Sequence, residues 1–513
     1  GVGQRVPFRA PARRPDTEPM KTRNLPVFPL APDPVRSDVA PDVEAVRLDI
    51  DLVGPAGGPR IGLVTLGCDK NTVDSEKMMA ALLGHGARVS SDVEGSDVVV
   101  VNTCGFIEAA KEQSIETLLE ACQMKGEGEG SVQAVVAVGC MVQRYKEQLE
   151  AEIPEVDLFL GLTEMASLVP ELRERGLLPE ESDAIPNMER PLRILSTETP
   201  HTSFLKISEG CDHTCAFCAI PSFRGLHRSA PLEDLVAEAQ ALSRQGVKEL
   251  NIISQDTTWY GRDLWRKDRS SPLLPGLLRA LVSDTDVPWY RLFYMYPSGI
   301  TAEIVEFMAT EKAIVPYLDM PLQHGSDRIL EAMRRPERQS VIRERVAWLR
   351  DGIPDLTLRT TVIVGFPGET DDDFREMLDL LEEVRFDRVG AFTYSVEDGT
   401  PAADMPDQIP QSLMRERLEE VMDLQRMISA DRNLELIGQR TVALVDDLVS
   451  DPGPLGEAAE GRPVGVARTV GEAIDVDGVT HLYPDDHIIP GEFVTVEIVD
   501  AAEYDLVGRV VAS

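Results

Sequence analysis

Three cysteines lie close together near the middle of the chain, in the segment EGCDHTCAFCAIPSFRGLHR. Cys211, Cys215 and Cys218 follow a Cys-x3-Cys-x2-Cys spacing. Structural zinc takes four protein ligands, so these thiolates alone do not complete a zinc site. His213 lies between them and leaves two alternatives, a zinc loop or free thiols. Three thiolates suit a 4Fe-4S cluster with one open iron, which can chelate a small molecule.

Three further cysteines each follow an apolar run that predicts a buried strand. Cys68, Cys104 and Cys140 come after IGLVTLG, DVVVVNT and QAVVAVG, and predicted helices separate these runs. Parallel strands of a doubly wound sheet present their carboxyl ends at one edge. We therefore expect these thiols to meet there and to hold a second open-iron cluster, unless they are simply buried. Cys122 falls inside a predicted helix, where a small buried residue is the expected role.

The composition is that of a globular chain in a reducing compartment. At 513 residues, the chain is long enough for about two to four domains. Seven cysteines are too few for a disulfide scaffold and are clustered as metal ligands are. No apolar run is long enough for a transmembrane helix, and the first residues lack the pattern of a secretory signal. A cytoplasmic location is expected.

The net charge of −37 is large. Binding to bulk nucleic acid depends on neutralising phosphates, so this charge disfavours it. A basic partner would instead be attracted and its association accelerated. Solubility explains the same charge, so the charge alone does not decide between the two.

The predicted elements divide the chain into four segments. Residues 1–59 are rich in Pro and Arg and lack periodicity, so we expect a disordered arm, with a transit peptide left open. Residues 60–185 alternate strands and helices, including a helix over Asp74–Leu83 with Asp74 as its N-cap. A linker covers much of 171–202. Residues 200–435 form a second αβ series, and residues 436–513 turn to short strands that predict a small β-barrel.

The second αβ series contains six predicted strands, at 204–208, 249–254, 289–296, 317–320, 357–364 and 388–394. With right-handed crossovers they predict a partial TIM-like (βα)6 barrel, open enough to leave a side cleft for a large substrate. The loop GFPGET follows the fifth strand. Its glycines Gly365 and Gly368 would let the backbone approach a ligand, although a tight turn needs them equally. His324 in PLQHGS is expected to be a hydrogen-bonding loop residue.

The C-terminal segment is acidic. Between Leu436 and Ser513 there are four Lys or Arg against fifteen Asp or Glu, with no platform of aromatic and basic residues for RNA. Such a barrel would clamp tRNA poorly and would better suit a basic protein.

From Arg60 to Ser513 the sequence resembles the methylthiotransferase family of radical S-adenosylmethionine (SAM) enzymes. Members of this family join a Cys-bearing N-terminal domain, a radical SAM barrel and a C-terminal TRAM domain. The matching motifs are TLGCDKNTVDSE, VNTCGFI, VGCMVQRY, EGCDHTCAFCAIP, SQDTTWYGRD, YLDMPLQHGSD, GFPGET and FTYSVEDGTPAA.

Within this family the chain is most similar to the RimO-type branch, which modifies ribosomal protein uS12. The tRNA-modifying branch usually reads GCQMN and CDKYC where this chain has GCDKN and CDHTC. The chain departs from the RimO-type pattern at Asp69, where Pro is usual, in RSAP at Arg228–Pro231, where RSRP is usual, and by a short insertion near residues 126–131. None of these departures is a cluster ligand, but they put the substrate contacts in doubt.

The resemblance implies the roles of the site residues. Cys211, Cys215 and Cys218 would hold the 4Fe-4S cluster that cleaves SAM to a 5′-deoxyadenosyl radical. Cys68, Cys104 and Cys140 would hold the auxiliary 4Fe-4S cluster, which carries the sulfur. The residues expected to contact SAM are Phe217, at the adenine, and Gln255, Gly365 and Gly368. The substrate would be an aspartate of uS12, converted to its β-methylthio form, with an electron donor and a sulfur source still to be identified. No membrane partner is expected, and tRNA is the less favoured substrate.

The physical chemistry agrees with this reaction. The β-carbon has no proton that a side-chain base could remove at neutral pH, so a cofactor-supplied radical is the feasible route. No catalytic triad or carboxylate pair is needed. We expect the two clusters to face each other with room for a peptide between them. The alternatives are methylthiolation of adenosine in tRNA and a non-catalytic scaffold that binds ribosomal surfaces.

Overall fold

The structure is a computed structural model that describes residues 53–55, 57–126, 132–179, 192–195, 199–459 and 461–512. The chain divides after Thr197 into two compact units. Most of the expected arm at 1–59, the insertion near 126–131 and the middle of the expected linker lie outside the described residues. None of the helices in the described part of the chain has both the length and the apolar character needed to cross a membrane.

The first unit is built on a parallel sheet of five strands, in the order β2-β1-β3-β4-β5. The predicted doubly wound α/β fold is therefore confirmed, with two short edge strands that the sequence analysis did not identify. The strands are β1 Arg60–Thr65, β2 Arg88–Ser90, β3 Val98–Thr103, β4 Ala134–Gly139 and β5 Leu158–Gly161. The helices are α1 Asp69–Gly84, α2 Glu108–Gln123, α3 Cys140–Glu152 and α4 Leu168–Glu174.

The central strands of this sheet are buried on both faces. Every residue of β3 and β4 is buried, because apolar clusters that include helical residues cover the sheet on its two sides. This burial explains why these strands read as continuous apolar runs rather than as alternating ones.

The prediction that Asp74 caps the first helix is wrong. Helix α1 begins at Asp69, with Cys68 at the N-cap position, so Asp74 lies inside the helix. Gly67 has a φ of +94°, which turns the chain directly from strand to helix. The same happens at Gly139, where φ is +101° and α3 begins at Cys140 itself.

The second unit contains the predicted partial barrel. Its six parallel strands follow the chain order, as β13-β12-β11-β10-β9-β6, and a separate hairpin pairs β7 with β8. The strands are β6 Thr202–Lys206, β7 Ser208–Glu209, β8 Arg228–Ser229, β9 Glu249–Ile253, β10 Trp289–Leu292, β11 Ile314–Asp319, β12 Thr357–Val364 and β13 Arg388–Thr393. The helices are α5 Ile220–Phe223, α6 Leu232–Arg244, α7 Arg262–Lys267, α8 Leu274–Asp284, α9 Ala302–Thr310, α10 Asp327–Ala332, α11 Gln339–Gly352, α12 Asp371–Val384 and α13 Gln411–Leu434.

The third barrel strand is shorter than predicted. It ends at Leu292 rather than Tyr296, because the backbone turns at Tyr294, where φ is +56°. The aromatic residues that follow form a loop at the carboxyl end of the strand, which is the functional face of such barrels.

The chain ends in a small closed barrel in the order β14-β15-β16-β18-β17, which confirms the predicted small β-barrel. Its strands are β14 Arg440–Val449, β15 Val464–Thr469, β16 Thr480–Leu482, β17 Phe493–Ala501 and β18 Leu506–Val510.

This small barrel is joined to the partial barrel by buried charges within the second unit. The Arg468 guanidinium contacts Glu249 at the start of β9 and Asp446 on β14. Glu249 also accepts a hydrogen bond from Arg291, whose guanidinium donates to the carbonyl of Val470. Burial opposes ionisation of Glu249, but Arg468 and Arg291 outweigh this effect and lower its pKa.

Candidate iron-sulfur sites

The first candidate site lies at the carboxyl edge of the sheet in the first unit. Strands β1, β3 and β4 are neighbours, and Cys104 and Cys140 directly follow β3 and β4. Cys68 follows β1 after a short turn. Cys104 and Cys140 are 7% and 4% exposed, and Cys68 is partly exposed. The strand order therefore brings the three cysteines to one edge of the sheet, as the sequence predicted.

The side chain of Asn71 contacts all three of these strand-end loops. Its Nδ2 donates to the carbonyl of Leu66 at 2.7 Å and to that of Thr103 at 3.3 Å. Its Oδ1 accepts from the thiol of Cys140, with 3.7 Å between oxygen and sulfur. Asn71 therefore ties the segments before Cys68 and Cys104 to the thiol of Cys140.

The backbone near Cys104 is packed too tightly for larger residues. A Cβ placed on Gly67 would lie 2.8 Å from both Cβ and Sγ of Cys104. A Cβ on Gly105 would lie 2.7 Å from the Cα of Met141. Ser114 on α2 accepts from the N–H of Cys104 and donates to its carbonyl, at 3.0 and 3.1 Å. The loops are thus held by close contacts before any ligand binds.

The second candidate site is the loop between β7 and β8, residues 210–227, which is here called the cluster loop. The N–H of Cys211 donates to the carbonyl of Gly225 at 3.0 Å, and the N–H of Cys218 donates to that of Cys215 at 3.2 Å. Gly210, with φ of +75°, could not carry a Cβ, because that atom would lie 2.3 Å from the carbonyl oxygen of Leu226. The hairpin and these bonds fold the three thiols onto one loop.

Burial keeps two thiols of this loop, those of Cys211 and Cys218, protonated at neutral pH without a ligand. Burial raises the pKa of Cys211 to about 11 and that of Cys218 to about 12. Nearby thiols contribute to each shift, which shows that the three sulfurs lie within electrostatic range of one another. A metal that binds here must displace protons, and thiolate ligands are deprotonated in that way by metal binding.

A zinc ion and a 4Fe-4S cluster hold their thiolate ligands at different separations. Among the residues that the structure describes, no three His, Cys, Asp or Glu side chains come close enough to share one metal ion. A zinc ion draws all four ligands to about 2.0–2.3 Å. In an iron–sulfur cluster each thiolate binds a different iron, so the sulfurs lie farther apart.

His213 is engaged elsewhere, which argues against the zinc alternative. Its Nε2 lies 2.7 Å from a carboxylate oxygen of Asp256. Its ring stacks on Tyr296 with 4.0 Å between centroids and lies 4.6 Å from the ring of Trp259. These contacts account for the ring without a metal.

The residues expected to contact SAM differ in their surroundings. Phe217 is partly buried and packs against an apolar cluster that includes Phe366 and Tyr394. Gln255 donates weakly to Glu209 at 3.5 Å, and its buried Oε1 has no hydrogen-bond partner among the described residues. Gly365 faces Met414, which a Cβ would approach to 2.3 Å, whereas a Cβ on Gly368 would meet no atom within 4 Å. Gln255 thus has an unused hydrogen-bond acceptor, and Gly368 has open space beside it. At Gly365, glycine is required because a side chain would collide with Met414.

A buried carboxylate fixes the GFPGET loop. Glu369 accepts from the N–H groups of Gly365 and Phe366, at 2.8 and 3.3 Å. It also pairs with Arg417 on α13 at 2.8 Å and lies 3.3 Å from His324. His324 is buried and accepts from the N–H of Ser326, so it is the hydrogen-bonding loop residue that was expected.

Sequence reasoning missed the residues that support the thiols. Arg335 is 5% exposed, with Nη1 4.0 Å from Cys215 Sγ and its guanidinium 4.0 Å above the ring of Tyr296. Asn71 and Ser114 were missed likewise. The signal that could have identified Asn71 and Ser114 is a polar side chain among otherwise buried residues beside a cysteine, since such groups must find partners.

Three family models match the chain. The family UPF0004, described as an uncharacterized protein family, matches residues 60–161. The Radical SAM superfamily matches residues 205–381, and the TRAM domain matches residues 437–511. The cysteines of the two candidate sites lie within the first two of these matches.

Curated relatives match most of the chain. The chain is 46% identical to the ribosomal protein uS12 methylthiotransferase RimO of Anaeromyxobacter sp. (strain Fw109-5), over 88% of this chain and 93% of the relative. It is 43% identical to the protein of that name from Myxococcus xanthus, over 88% and 91%. The one from Geobacter sulfurreducens is 40% identical, over 88% and 99%. A solved structure of the radical SAM methyltransferase TsrM from Kitasatospora setae matches with a TM-score of 0.49 at 14% identity, over 78% of this chain and 80% of that one.

Proposed function

Since the chain belongs to the RimO family of ribosomal protein uS12 methylthiotransferases, we propose that it transfers a methylthio group to the β-carbon of an aspartate in uS12. It is a radical SAM methylthiotransferase. It uses SAM and an iron–sulfur cluster, as the radical SAM superfamily does. The observation that carries the finer proposal is the presence of two separate thiol triplets, each built around an ordered backbone.

The triplets have different roles in this proposal. Cys211, Cys215 and Cys218 hold one 4Fe-4S cluster, which supplies, when bound, the electron that cleaves SAM. The first unit's Cys68, Cys104 and Cys140 hold the second cluster, whose open iron carries the sulfur. The domains divide accordingly, with residues 60–185 for the second cluster, 200–435 for the radical chemistry and 436–513 for the TRAM domain.

The chain's own residues position and enclose the reactants. The hairpin β7–β8 and the N–H groups of the cluster loop fix the three thiols, and Arg335 places a positive charge beside Cys215. Glu369 holds the GFPGET backbone in a single shape next to the buried rings of Phe366 and Tyr394. Phe217, Gln255 and Gly368 remain available for SAM. Fixed groups of this kind lower the entropic cost of bringing reactants together.

The ribosomal substrate sets the location and partners. We infer a cytoplasmic enzyme that acts on uS12, free or within the small subunit, with an electron donor and a sulfur source of unknown identity. The acidic C-terminal segment, with four Lys or Arg against fifteen Asp or Glu, suits a basic protein rather than tRNA.

Two measurements test this function. Protein reconstituted without oxygen should contain roughly eight iron and eight sulfide per chain. Incubated with SAM, a reductant, a sulfide source and purified uS12, it should add one methylthio group to one aspartate, detected by mass spectrometry. A methylthio group on tRNA adenosine instead would establish the tRNA alternative, and a chain without iron after reconstitution would support the scaffold.

A further inference from the structure

A set of unpaired cations lies on the outside of the cluster loop. These cations are Arg228, Arg262, Arg266, Lys267 and Arg269, and together with Trp265 they are here called the α7 surface. Its cations are exposed, apart from Arg262, which is partly buried. None of them forms an ion pair with any residue in the described part of the chain.

The carboxylates nearby are already engaged. Asp263 accepts from the N–H of Ser229 at 3.2 Å, and hydrogen bonding to Ser229 contributes to lowering its pKa against the opposing effect of burial. Asp268 accepts from the N–H and hydroxyl of Ser270. The segment 262–269 carries four cations and two carboxylates in a chain whose net charge is −37. A local positive patch on such a chain gives an approaching anion one favourable direction.

The α7 surface adjoins the loop that carries Cys211, Cys215 and Cys218. Helix α7 packs on β8, which closes the cluster loop, and the N–H of Gly261 donates to Ser229 at 2.8 Å. The Arg262 guanidinium lies 4.9 Å from the ring of Trp259. That ring is 4.6 Å from His213, which stands between Cys211 and Cys215. The rings of Trp259 and His213 thus connect Arg262 of the α7 surface with the loop that carries the thiols.

The patch also exposes apolar groups. Trp265 is 39% exposed, with the Arg269 guanidinium 3.6 Å above its ring, and Leu226 in the cluster loop is 73% exposed. Exposed apolar and aromatic groups ringed by charge are typical of protein docking surfaces.

We propose that the α7 surface is the docking site for a small acidic protein that carries one electron at a time, and that the electron enters the radical cluster through the Trp259–His213 ring pair. This inference rests on the proposed function, which requires an electron at Cys211, Cys215 and Cys218. One electron leaves the carrier, which is oxidised, and the cluster is reduced by one electron. No bond forms between the two proteins.

An acidic protein fits this surface better than RNA does. Arg269 occupies one face of the Trp265 ring, so that face cannot stack on a base as in RNA-binding platforms. The surface adjoins the cluster loop, where an electron is needed, and charge complementarity mainly accelerates association, which suits a transient carrier.

The test compares two triple variants with the same change in net charge. One is Arg266→Glu, Lys267→Glu and Arg269→Glu. The control is Arg244→Glu, Lys312→Glu and Arg415→Glu, three exposed residues of the second unit outside the α7 surface. Reduced flavodoxin, an acidic flavoprotein, serves as the probe. The rate of 5′-deoxyadenosine formation is measured with flavodoxin and with dithionite, and flavodoxin affinity is measured by calorimetry.

At low salt, the flavodoxin-driven rate of the α7 variant should fall by at least about tenfold, because steering by charge is lost. Its binding of flavodoxin should no longer be measurable. Its dithionite-driven rate and the control variant should be unchanged. Unchanged flavodoxin kinetics in the α7 variant would overturn the docking site. Loss of binding to the small ribosomal subunit, with flavodoxin kinetics unchanged, would overturn it as well. Failure of wild-type enzyme to modify uS12 with dithionite would count against the proposed function instead, since dithionite bypasses the docking site.

Discussion

The six thiols of the candidate sites are positioned by neighbours that are not themselves ligands. Asn71 reaches the loops of all three cysteines in the first unit, and Arg335 lies against Cys215 in the second. Outer contacts of this kind orient the ligands of metal sites and tune the metal. Residue-scale variants should therefore separate the ligands from the residues that support them.

Removing one ligand from each triplet should give different losses. Cys215→Ala should abolish both SAM cleavage and methylthio transfer, because the radical cluster is lost. Cys140→Ala should abolish methylthio transfer while SAM cleavage continues. Cys122→Ala is the control, since Cys122 lies within α2 and packs against the apolar core. The measurements are 5′-deoxyadenosine by chromatography and modified uS12 by mass spectrometry. Loss of SAM cleavage in Cys140→Ala, with the radical cluster still present, would contradict this division.

The close packing at Gly67 gives a second test. Gly67→Ala should prevent the auxiliary cluster from forming, because its Cβ would collide with Cys104, and iron should fall from roughly eight to roughly four per chain. Gly176→Ala imposes a similar backbone conformation, with φ of +71°, but its Cβ meets no atom within 4 Å. Full iron content in Gly67→Ala would show that this contact does not limit assembly.

At the residue scale, the sequence identified the candidate ligands but not the residues that hold them in place. Cysteine spacing and strand ends predicted which six thiols to consider, because few residue types bind iron. The roles of Asn71, Ser114 and Arg335 depend on contacts between distant segments, and no local pattern contains those contacts.

At the scale of single elements, the loop after β12 depends on a buried ion pair. Glu369 holds the loop backbone, and Arg417 from α13 is its principal cation. Both side chains are nearly inaccessible to solvent, so removal of one leaves an uncompensated buried charge.

Arg417→Leu should therefore lower the free energy of unfolding of the second unit by about 3–5 kcal/mol. Arg426→Leu on the same helix breaks an exposed pair with Asp423 and should cost less than about 1 kcal/mol. Urea denaturation followed by circular dichroism measures both. Equal, small effects would mean that the buried pair does not stabilise the loop. A raised KM for SAM in Arg417→Leu is expected as well.

Element boundaries were predicted less well than element types. The strands before the cysteines were identified because both of their faces are buried. The start of α1 was placed five residues late, because an Asp was taken as the cap, whereas the turn at Gly67 lets the helix begin at Asp69. The short strands β2 and β5 carry too few residues for a clear pattern.

At the scale of the whole molecule, the C-terminal barrel is bound to the partial barrel by the charges around Glu249. This carboxylate is fully buried between Arg291 and Arg468. Because its pKa is lowered below 4.5, its contribution is fully present at neutral pH and is lost only as the pH falls through the lowered value.

Arg468→Leu should loosen this barrel, because Glu249 and Asp446 would lose their shared cation. Limited proteolysis should then cut near residues 436–440, which should resist cleavage in the wild type. Arg440→Leu removes only an exposed pair with Glu497 and should leave proteolysis unchanged. Equal resistance in Arg468→Leu would show that other contacts hold the barrel.

Net charge was a poor guide at this scale. The total of −37 disfavours a nucleic-acid clamp, which stays a prediction. It also conceals the cations of the α7 surface, which the fold brings together beside the cluster loop. The facing arrangement of the two clusters stays a prediction.

The most direct test of the central claim is mass spectrometry of uS12 from cells that lack this gene. Complementation with the wild-type chain should restore one methylthio group on one aspartate, and complementation with Cys140→Ala or Cys215→Ala should not. An unmodified uS12 in the wild type, or a methylthio group that either variant restores, would contradict the account.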